Sequence, residues 1–396
     1  MNDPLLQFRS EFPILERTTY LVSNSLGAMP RGVADRLADY VDQWSELGVR
    51  AWANGWWEMP VAVGDEIAPL IGAGPGEIAM LPNVTIAQTA VLSAVPYTPS
   101  RDKIVMTELD FPSVRYVYDQ LATRLGARIE VVASEDGIGI DTQRILGAID
   151  ERTALVAISH VLFRSAFIMD AAAICARARE VGALVSLDAF HSVGVIPVDV
   201  HWLGVDFLSG GVLKWLCGGP GGAFLYVSRE ASRRLSPSFT GWQAHQHPFG
   251  FEPEMRYADH AWRWLNGTPP IPALFAAIEG PRLVRRAGIE RIREKSMRQT
   301  TRLIELADAS GYRVSAPRAA EQRGGTVAFD VPHALGVARA LLANGVIVDY
   351  RPNAGIRLAP HFYTSDDELE RAVRMIGDIL RDGAWEPHEH ETGTVT

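Results

Sequence analysis

Cysteine is nearly absent from this sequence, with only Cys175 and Cys217 among 396 residues. Two thiols cannot build a disulfide framework, and they cannot form a zinc site without other ligands. Basic residues are also in deficit: 38 Lys and Arg stand against 47 Asp and Glu, for a formal net charge of −9. This balance disfavours a nucleic acid or an anionic membrane as a partner. We expect neither partner, and no metal site.

Long apolar runs are missing as well. No run approaches the roughly 20 residues that a membrane helix requires. The N-terminal stretch MNDPLLQFRSEFPILE carries charges where a signal peptide would have its apolar region. We therefore expect a protein without a membrane span, located in the cytoplasm. The chain is too long for one simple core and predicts two or three lobes.

Lysine is the third scarce residue: Lys103, Lys214 and Lys295 stand against 35 arginines. The neighbours of Lys103 and Lys295 are polar, which predicts solvated side chains. Lys214 instead stands among apolar residues, in the segment SGGVLKWLCGGPGGAFLYV at 209–227. An apolar niche disfavours the ammonium form, so the amine becomes available as a nucleophile. Lys214 is therefore the lysine expected to carry chemistry.

The middle of the chain alternates short apolar runs with segments of helical periodicity. The runs are KIVMTEL, RIEVVAS, ALVAISH, ALVSLDAF, DFLSGG and GAFLYVS. Continuous apolar strands joined by helices are typical of a mostly parallel sheet covered on both faces. From about residue 271, a charged helical stretch leads into shorter strands and helices. The sequence predicts the α/β class, with a large domain at 45–275. The N-terminal segment 1–44 and a smaller α+β domain at 276–396 make up the rest of the chain.

Polar residues stand at the ends of several predicted strands, where α/β proteins bind ligands. Asp188 closes ALVSLD, and Lys214 follows DFLSGG. Thr85, in NVTIAQ, begins a predicted helix, where a hydroxyl and free backbone N–H groups can hold a phosphate. An aspartate that pairs with a pyridinium nitrogen and a lysine that forms a Schiff base are the groups that pyridoxal phosphate (PLP) enzymes use. With Phe111 after VMTELD, these residues predict a PLP site.

Motifs along the chain resemble those of fold-type-I PLP enzymes of the class V aminotransferase family, and most of all those of kynureninases. They are YLVSNSLGAMP, AWANGWWEMP, NVTIAQ, FPS, LDAFHSVG, GW at 241–242, NGTPP and GIRLAP, within residues 17 to 380. Their order and spacing together are specific, although no single motif is. The resemblance implies a large PLP-binding domain and a smaller α+β domain. It also implies an amino acid substrate and a homodimer whose active site is shared between subunits.

The resemblance further implies a role for each matching residue. Lys214 is expected to hold the cofactor covalently and to move protons, Asp188 to pair with its pyridine nitrogen, and Phe111 to stack on its ring. The residues expected around the phosphate are Val84, Thr85, His191, Trp242 and Thr268, the last two reaching it from the partner subunit. Those expected to contact the substrate are Ser25, Trp56 and Arg357. The planar guanidinium of Arg357 suits a bidentate clamp on a carboxylate.

Three places depart from the kynureninase pattern. Leu213 stands where the family has a tyrosine before the lysine, and Val114 follows FPS in place of an aspartate. The segment LFRSA at 162–166 lacks the asparagine and the glycine of a motif resembling Asn-Tyr-Arg-Thr-Gly. In the family the tyrosine bonds the phosphate and relays protons, and a leucine can do neither.

The sequence consequently leaves the reaction open. One reading is the kynureninase-type hydrolytic cleavage of the Cβ–Cγ bond of kynurenine or a related γ-keto amino acid. The alternative is other class V chemistry on a different amino acid: transamination, β-elimination, C–S lysis or epimerisation. A third, non-catalytic reading requires every site residue to be vestigial. Cysteine desulfuration is disfavoured, because it needs a mobile cysteine after the lysine and none follows Cys217.

The glycines after Lys214 do not form a nucleotide-binding P-loop. That motif places its lysine after the glycines, at the start of a helix. Here the lysine comes first, and a predicted strand follows. We expect these glycines to make a tight turn from the lysine into GAFLYV.

Overall fold

The structure, a computed structural model, describes residues 3–390. Its strands are β1 Thr19–Tyr20, β2 Ile78–Leu81, β3 Lys103–Thr107, β4 Arg128–Val132, β5 Thr153–Ser159, β6 Leu184–Asp188, β7 Phe207–Gly211, β8 Ala223–Val227, β9 Arg313–Val314, β10 Val327–Asp330, β11 Val346–Ile347, β12 Asp349–Arg351 and β13 Gly355–Leu358. Its α-helices are α1 Gly32–Leu47, α2 Met59–Ile67, α3 Val84–Ala94, α4 Pro112–Leu121, α5 Thr142–Ala148, α6 Ala171–Val181, α7 Val200–Leu203, α8 Arg229–Arg234, α9 Ile271–Ala276, α10 Glu279–Ala287, α11 Ile289–Ala309, α12 Ala334–Ala343 and α13 Asp366–Asp382. Short 3₁₀ helices lie at Pro4–Glu11, Pro13–Glu16, Gly48–Asn54, Ala68–Leu70, Thr123–Leu125, Trp242–Ala244, Pro248–Gly250, His260–Trp264 and Glu386–His388.

The large sheet has the strand order β2-β8-β7-β6-β5-β3-β4. All of its strands run parallel except β8, which is antiparallel to both of its neighbours. Every residue of β5, β6 and β7 is buried, because helices cover both faces of the sheet. The predicted α/β class with a mostly parallel sheet is confirmed.

Helical crossovers bring the carboxyl ends of the central strands to one edge of the sheet. A parallel connection needs such a crossover, and α6 supplies it between β5 and β6. Asp170 caps the start of α6 by accepting the Ala173 N–H at 3.0 Å, and Gly182 ends it with a φ of 70°. Asp188, at the end of β6, consequently lies beside Ser159 on β5 and Ser209 on β7.

The second sheet has the order β12-β13-β10-β9 and is antiparallel throughout. It packs with α11, α12 and α13 around a separate apolar core. The N-terminal strand β1 pairs in parallel with β11, which ties the start of the chain to this part of the molecule. The domain boundary at 275/276 stays a prediction, with the large sheet formed by residues 78–227 and the four-stranded sheet by residues 313–358. Within residues 3–390, no helix combines the length and the apolar character that a membrane span needs.

The expected solvation of Lys103 and Lys295 is wrong. Their exposed fractions are 2% and 5%. The Lys103 ammonium lies 2.8 Å from the Asp150 carboxylate, and that of Lys295 lies 2.8 Å from Asp3 and donates to the Phe362 carbonyl. Long lysine stems can be buried when the charged end finds a carboxylate and an acceptor. Those partners are distant in sequence or on another element, so local polarity did not reveal them.

The glycines after Lys214 make the expected tight turn. Gly219 and Gly221 have φ values of 74° and 94°, which favour glycine. A Cβ at Gly218 would lie 2.7 Å from the side chain of Val212. The turn thus packs against the strand end that precedes Lys214, and β8 leaves from it.

Candidate active site

Lys214 lies three residues beyond the end of β7, beside aromatic rings. Its Nζ is 2.7 Å from His191 Nε2, 5.4 Å from the ring centre of Phe111 and 5.6 Å from that of Phe190. The side chain is partly accessible to solvent, yet the surrounding protein atoms desolvate the ammonium and lower its pKa. The negative charge of Asp188 opposes that effect. Lys214 is therefore placed to present a free amine.

Asp188 is buried at the carboxyl end of β6. Burial raises the pKa of its carboxyl group, while the backbone N–H of Phe190, at 3.0 Å, and the charge of Lys214 favour the ionised form. Burial and the nearby cations hold the pKa of His191 well below its usual range, so the imidazole is neutral near pH 7. The site therefore combines a buried carboxylate, a neutral imidazole and a lysine.

The start of α3 offers backbone donors. Asn83 caps the helix: its side chain accepts the Ile86 N–H at 3.1 Å, and its carbonyl accepts the Ala87 N–H at 3.2 Å. Helix geometry provides no acceptor within α3 for the N–H groups of Val84 and Thr85. Val84 is buried and Thr85 is exposed. Two backbone donors and a hydroxyl thus stand together at a positive helix end, as an anion requires.

Arg357 lies on β13 directly opposite Asp349 on β12. Both residues are buried, and Arg357 donates from Nε to Asp349 Oδ1 at 2.7 Å and from Nη2 to Oδ2. Its Nη1 donates to the carbonyl of Phe163. A guanidinium carries five N–H donors, so these three bonds leave one donor on each Nη. Two adjacent donors match the two oxygens of one carboxylate.

Asp349 and Phe163 are site residues that sequence reasoning missed. Asp349 reaches Arg357 only through strand pairing, and a lone acid in a short strand carries no local signal for such a pair. Phe163 belongs to the atypical LFRSA segment, and its ring meets that of Phe111 edge-on at 5.3 Å. It therefore connects the residue expected to stack on the cofactor with the arginine expected to bind substrate.

Ser25 belongs to a turn at residues 22–27 whose last residue contacts the segment before Lys214. Its N–H donates to the Val22 carbonyl at 2.9 Å, and two residues later the Gly27 N–H donates to the Leu213 carbonyl at 2.8 Å. This turn packs against the chain immediately before Lys214. Leu213 therefore contributes a backbone acceptor here, independent of its side chain.

Trp56 and Trp242 pack against other aromatic residues, whereas Thr268 lines a cavity with Pro82 and Ile86 beside the start of α3. Trp56 is buried against Tyr40 on α1, and its indole N–H donates to Gln43 at 2.9 Å. Trp242 is 39% exposed, and Thr268 is exposed too. Within one subunit, contacts join Lys214 to His191 and Phe111, and Phe111 through Phe163 to Arg357. Val84 and Thr85 begin the helix whose Gln88 bonds to Ser209, the strand partner of Asp188.

Two of the atypical positions have local explanations. Val114 is 4% exposed in the first turn of α4, where it joins an apolar core. Ala166, where the related motif has glycine, adopts a φ of 60°. An L-residue in this region costs about 1–2 kcal/mol relative to glycine. LFRSA thus keeps a glycine-like backbone despite its alanine.

The family model named Aminotransferase class-V matches residues 19–353. The chain belongs to the class V aminotransferase family. Similar proteins include the kynureninase of Burkholderia pseudomallei, 32% identical over 404 residues, covering 99% of this chain and 96% of that protein. The kynureninase of Bacillus thuringiensis subsp. konkukian is 33% identical over 411 residues, covering 100% and 96%. The predicted resemblance is confirmed.

Solved structures support the fold of this chain. The cysteine desulfurase of Thermococcus onnurineus NA1 matches with a TM-score of 0.84 at 23% identity, covering 96% of this chain and 99% of that one. A cystine C–S lyase in complex with cysteine persulfide matches with a TM-score of 0.84 at 21% identity, covering 93% and 99%. At these identities the likeness concerns the fold alone.

This member of the class V aminotransferase family is a PLP-dependent enzyme, and its residues fit that cofactor. The α3 donors suit a phosphate, buried Asp188 suits a protonated ring nitrogen, and Phe111 presents an aromatic face beside Lys214. The Lys214 amine, with its lowered pKa, suits covalent attachment to an aldehyde. Bound PLP supplies an electron sink for an amino acid substrate, and the protein supplies orientation and proton transfer.

Gly27 is expected to be essential for the position of Lys214. A Cβ at Gly27 would overlap the Lys214 carbonyl oxygen and lie 2.8 Å from Cys217 Sγ. Replacing Gly27 with alanine must therefore displace the lysine loop, and we expect it to lower the free energy of unfolding by about 2 kcal/mol. We also expect weaker PLP binding, measurable as a higher PLP concentration at half-saturation of the visible absorbance.

Gly147 provides the matched control. It is exposed in α5, and a Cβ there meets no atom within 4 Å. Alanine at this position should stabilise the protein by about 0.5–1 kcal/mol. Equal thermal midpoints and equal PLP affinities for the two variants would contradict the assignment of Gly27.

Proposed function

We propose that this enzyme is a kynureninase: it cleaves hydrolytically the Cβ–Cγ bond of kynurenine or a related γ-keto amino acid. The observation that carries the proposal is the similarity to kynureninases over at least 99% of the chain. Lys214, Asp188, His191 and Arg357 support it, because they provide the groups that an amino acid on PLP requires.

Each residue has a task in this proposal. Arg357 holds the substrate α-carboxylate with its two remaining N–H donors, and Asp349 keeps the guanidinium in place. Lys214 removes the proton at Cα and returns protons later, for which a lowered amine pKa is suited. Asp188 keeps the pyridine nitrogen protonated, and Phe111 and Phe190 limit water beside the amine.

The proposal is tested by incubating the PLP-loaded enzyme with L-kynurenine and with 3-hydroxykynurenine. We expect anthranilate or 3-hydroxyanthranilate to form together with alanine. Fluorescence and mass spectrometry measure the formation of these products. Heat-treated enzyme controls for non-enzymatic breakdown. If neither aromatic product forms at high enzyme concentration, kynureninase activity is ruled out.

Other class V chemistry is the second candidate, favoured by one observation. Leu213 and Val114 place apolar side chains at positions where kynureninases have polar ones, which removes groups expected to transfer protons. A panel of amino acids in D₂O, read by mass spectrometry, separates the candidates: exchange of the α-hydrogen without anthranilate would identify a different substrate. Desulfuration through a protein thiol has no support, since burial raises the pKa of both Cys175 and Cys217 to about 12.

A homodimer with shared active sites is also part of the proposal. Trp242 belongs to an exposed aromatic patch with Trp57, Phe249 and Phe251, the last two 61% and 77% exposed. Apolar side chains on α1 are likewise exposed, notably Trp44 at 61%. Exposed apolar patches of this kind mark protein interfaces. Placing Trp242 against the partner's cofactor would cover the patch and complete the site.

Mixed dimers test this arrangement. Lys214→Ala and Trp242→Ala subunits, each impaired alone, should form heterodimers with one intact site and about half the wild-type activity. That site would combine Lys214 of one subunit with Trp242 of the other. Differently tagged subunits allow the heterodimer to be purified. If the heterodimer recovers no activity, the two residues act within one subunit. Heterodimers of wild type with the double variant serve as the control, because there a shared arrangement leaves no site with both residues.

A further inference from the structure

We propose that Gln88 is a positioning residue that sets the separation between the phosphate-binding turn of α3 and Asp188. Gln88 is 1% exposed. Its Nε2 donates to Ser209 Oγ at 2.9 Å, and its Oε1 accepts from the Tyr118 hydroxyl at 2.9 Å and from Ser186 Oγ at 3.2 Å. One amide therefore connects α3 with α4, β6 and β7.

These bonds place the amide next to the position expected for the cofactor. Ser186 and Asp188 are two residues apart on β6, so their side chains share one face of the sheet. Ser209 is the direct partner of Asp188 on β7. Gln88 follows Thr85 by three residues and so lies one turn further along the same side of the helix. The amide thus fixes the distance between Asp188 and the first turn of α3, which carries the phosphate donors.

The shape of the cofactor makes the distance between the first turn of α3 and Asp188 important. PLP carries its phosphate and its pyridine nitrogen on one rigid ring, so the two anchors must be a fixed distance apart. The start of α3 supplies one anchor and Asp188 supplies the other. A shift of about 1 Å in their separation is sufficient to weaken both contacts. This inference rests on the assignment of PLP to the site.

The chemistry of the network requires an amide at this position. Burial raises the pKa of Tyr118 well above its usual value, and the charge of Asp188 adds to that effect, so Tyr118 stays a neutral donor. Glutamate at position 88 would place a second buried negative charge near Asp188 and could not donate to Ser209. Leucine would leave three buried hydroxyl groups without their partner. Glutamine supplies a donor and a double acceptor together.

Gln88→Asn is the sharpest test, because it keeps the amide and shortens the side chain by one CH₂ group. We expect the PLP dissociation constant, measured by titrating folded apoenzyme, to rise about tenfold or more. The pH midpoint of the visible band of bound cofactor should shift by about half a unit. Gln143→Asn, at an exposed glutamine of α5, is the matched control and should change neither quantity.

Two variants with smaller expected effects keep the inference testable if Gln88→Asn does not fold. Tyr118→Phe and Ser209→Ala each remove one bond from the amide and should raise the PLP dissociation constant about two- to fivefold. Circular dichroism and size-exclusion chromatography establish that each variant is folded. PLP affinities within twofold of wild type and an unchanged pH midpoint, in the folded variants, would overturn the inference. Failure of wild type itself to bind PLP would instead overturn the assignment of the cofactor.

Discussion

Replacing Lys214 with alanine is expected to lower kcat by about 10⁴-fold or more. The reason is geometric: Lys214 is the amine beside Phe111 and 2.7 Å from His191, and its lowered pKa allows it both to bind the cofactor and to transfer protons. Product formation at saturating amino acid measures the loss. Borohydride should also fix the cofactor covalently to PLP-loaded wild type, measurable as added protein mass by mass spectrometry, and should leave the variant without that added mass.

Small amines and a charge-conserving variant sharpen this test. Lys214→Arg retains a cation but not a nucleophilic amine, so we expect it to be as inactive as Lys214→Ala. Added ethylamine should restore part of the activity of the alanine variant, because it can occupy the vacated space and accept protons. Activity of Lys214→Ala within tenfold of wild type would refute the role of this lysine.

Replacing Arg357 with leucine is expected to lower kcat/KM by about 10²–10³-fold. Two charge-assisted hydrogen bonds to the substrate carboxylate would be lost. Asp349 would also lose its bidentate partner in a fully buried position, which is costly in itself. Steady-state kinetics with the substrate found for the wild type measures the effect. A thermal scan shows whether Asp349 destabilises the variant.

The controls for Arg357 separate carboxylate binding from general damage. Arg357→Lys should remain strongly impaired, because one ammonium cannot serve both Asp349 and a bidentate carboxylate. Arg313→Leu removes an exposed arginine that pairs with Asp330 at 2.7 Å, and should leave kcat/KM unchanged. A substrate analogue that lacks the carboxylate should react equally poorly with wild type and Arg357→Leu. If the analogue also loses about 10²-fold in the variant, Arg357 acts through the fold rather than through the carboxylate.

The positions of three predicted site residues in the fold could be predicted because each depends on local chain geometry. Asp188 ends a run of apolar residues, Thr85 begins a helix, and Lys214 follows a strand, so the parallel sheet brings all three to one edge. The glycine turn after Lys214 was predictable for the same reason, since positive φ values and close packing leave a clear compositional sign.

Contacts between distant segments could not be predicted. Lys103 and Lys295 were expected in solvent and are buried, since the acids that neutralise them lie elsewhere in the chain. The roles of Asp349 and Gln88 have no local sign in the sequence, because an acid in a short strand and a glutamine in a helix are ordinary residues. Their roles arise from strand register and helix packing.

The sequence by itself determined the α/β class and the cofactor, because strand periodicity and residue chemistry are local properties. It also predicts Lys214 as the residue that binds the cofactor. Only the tertiary structure decided how Arg357 is oriented by Asp349 and Phe163, and how Gln88 connects α3 to the strands beside Asp188. It also placed Trp56 against α1 and left Trp242 exposed. The physical reason is that hydrogen bonds and burial depend on which segments meet, and a linear pattern does not contain that information.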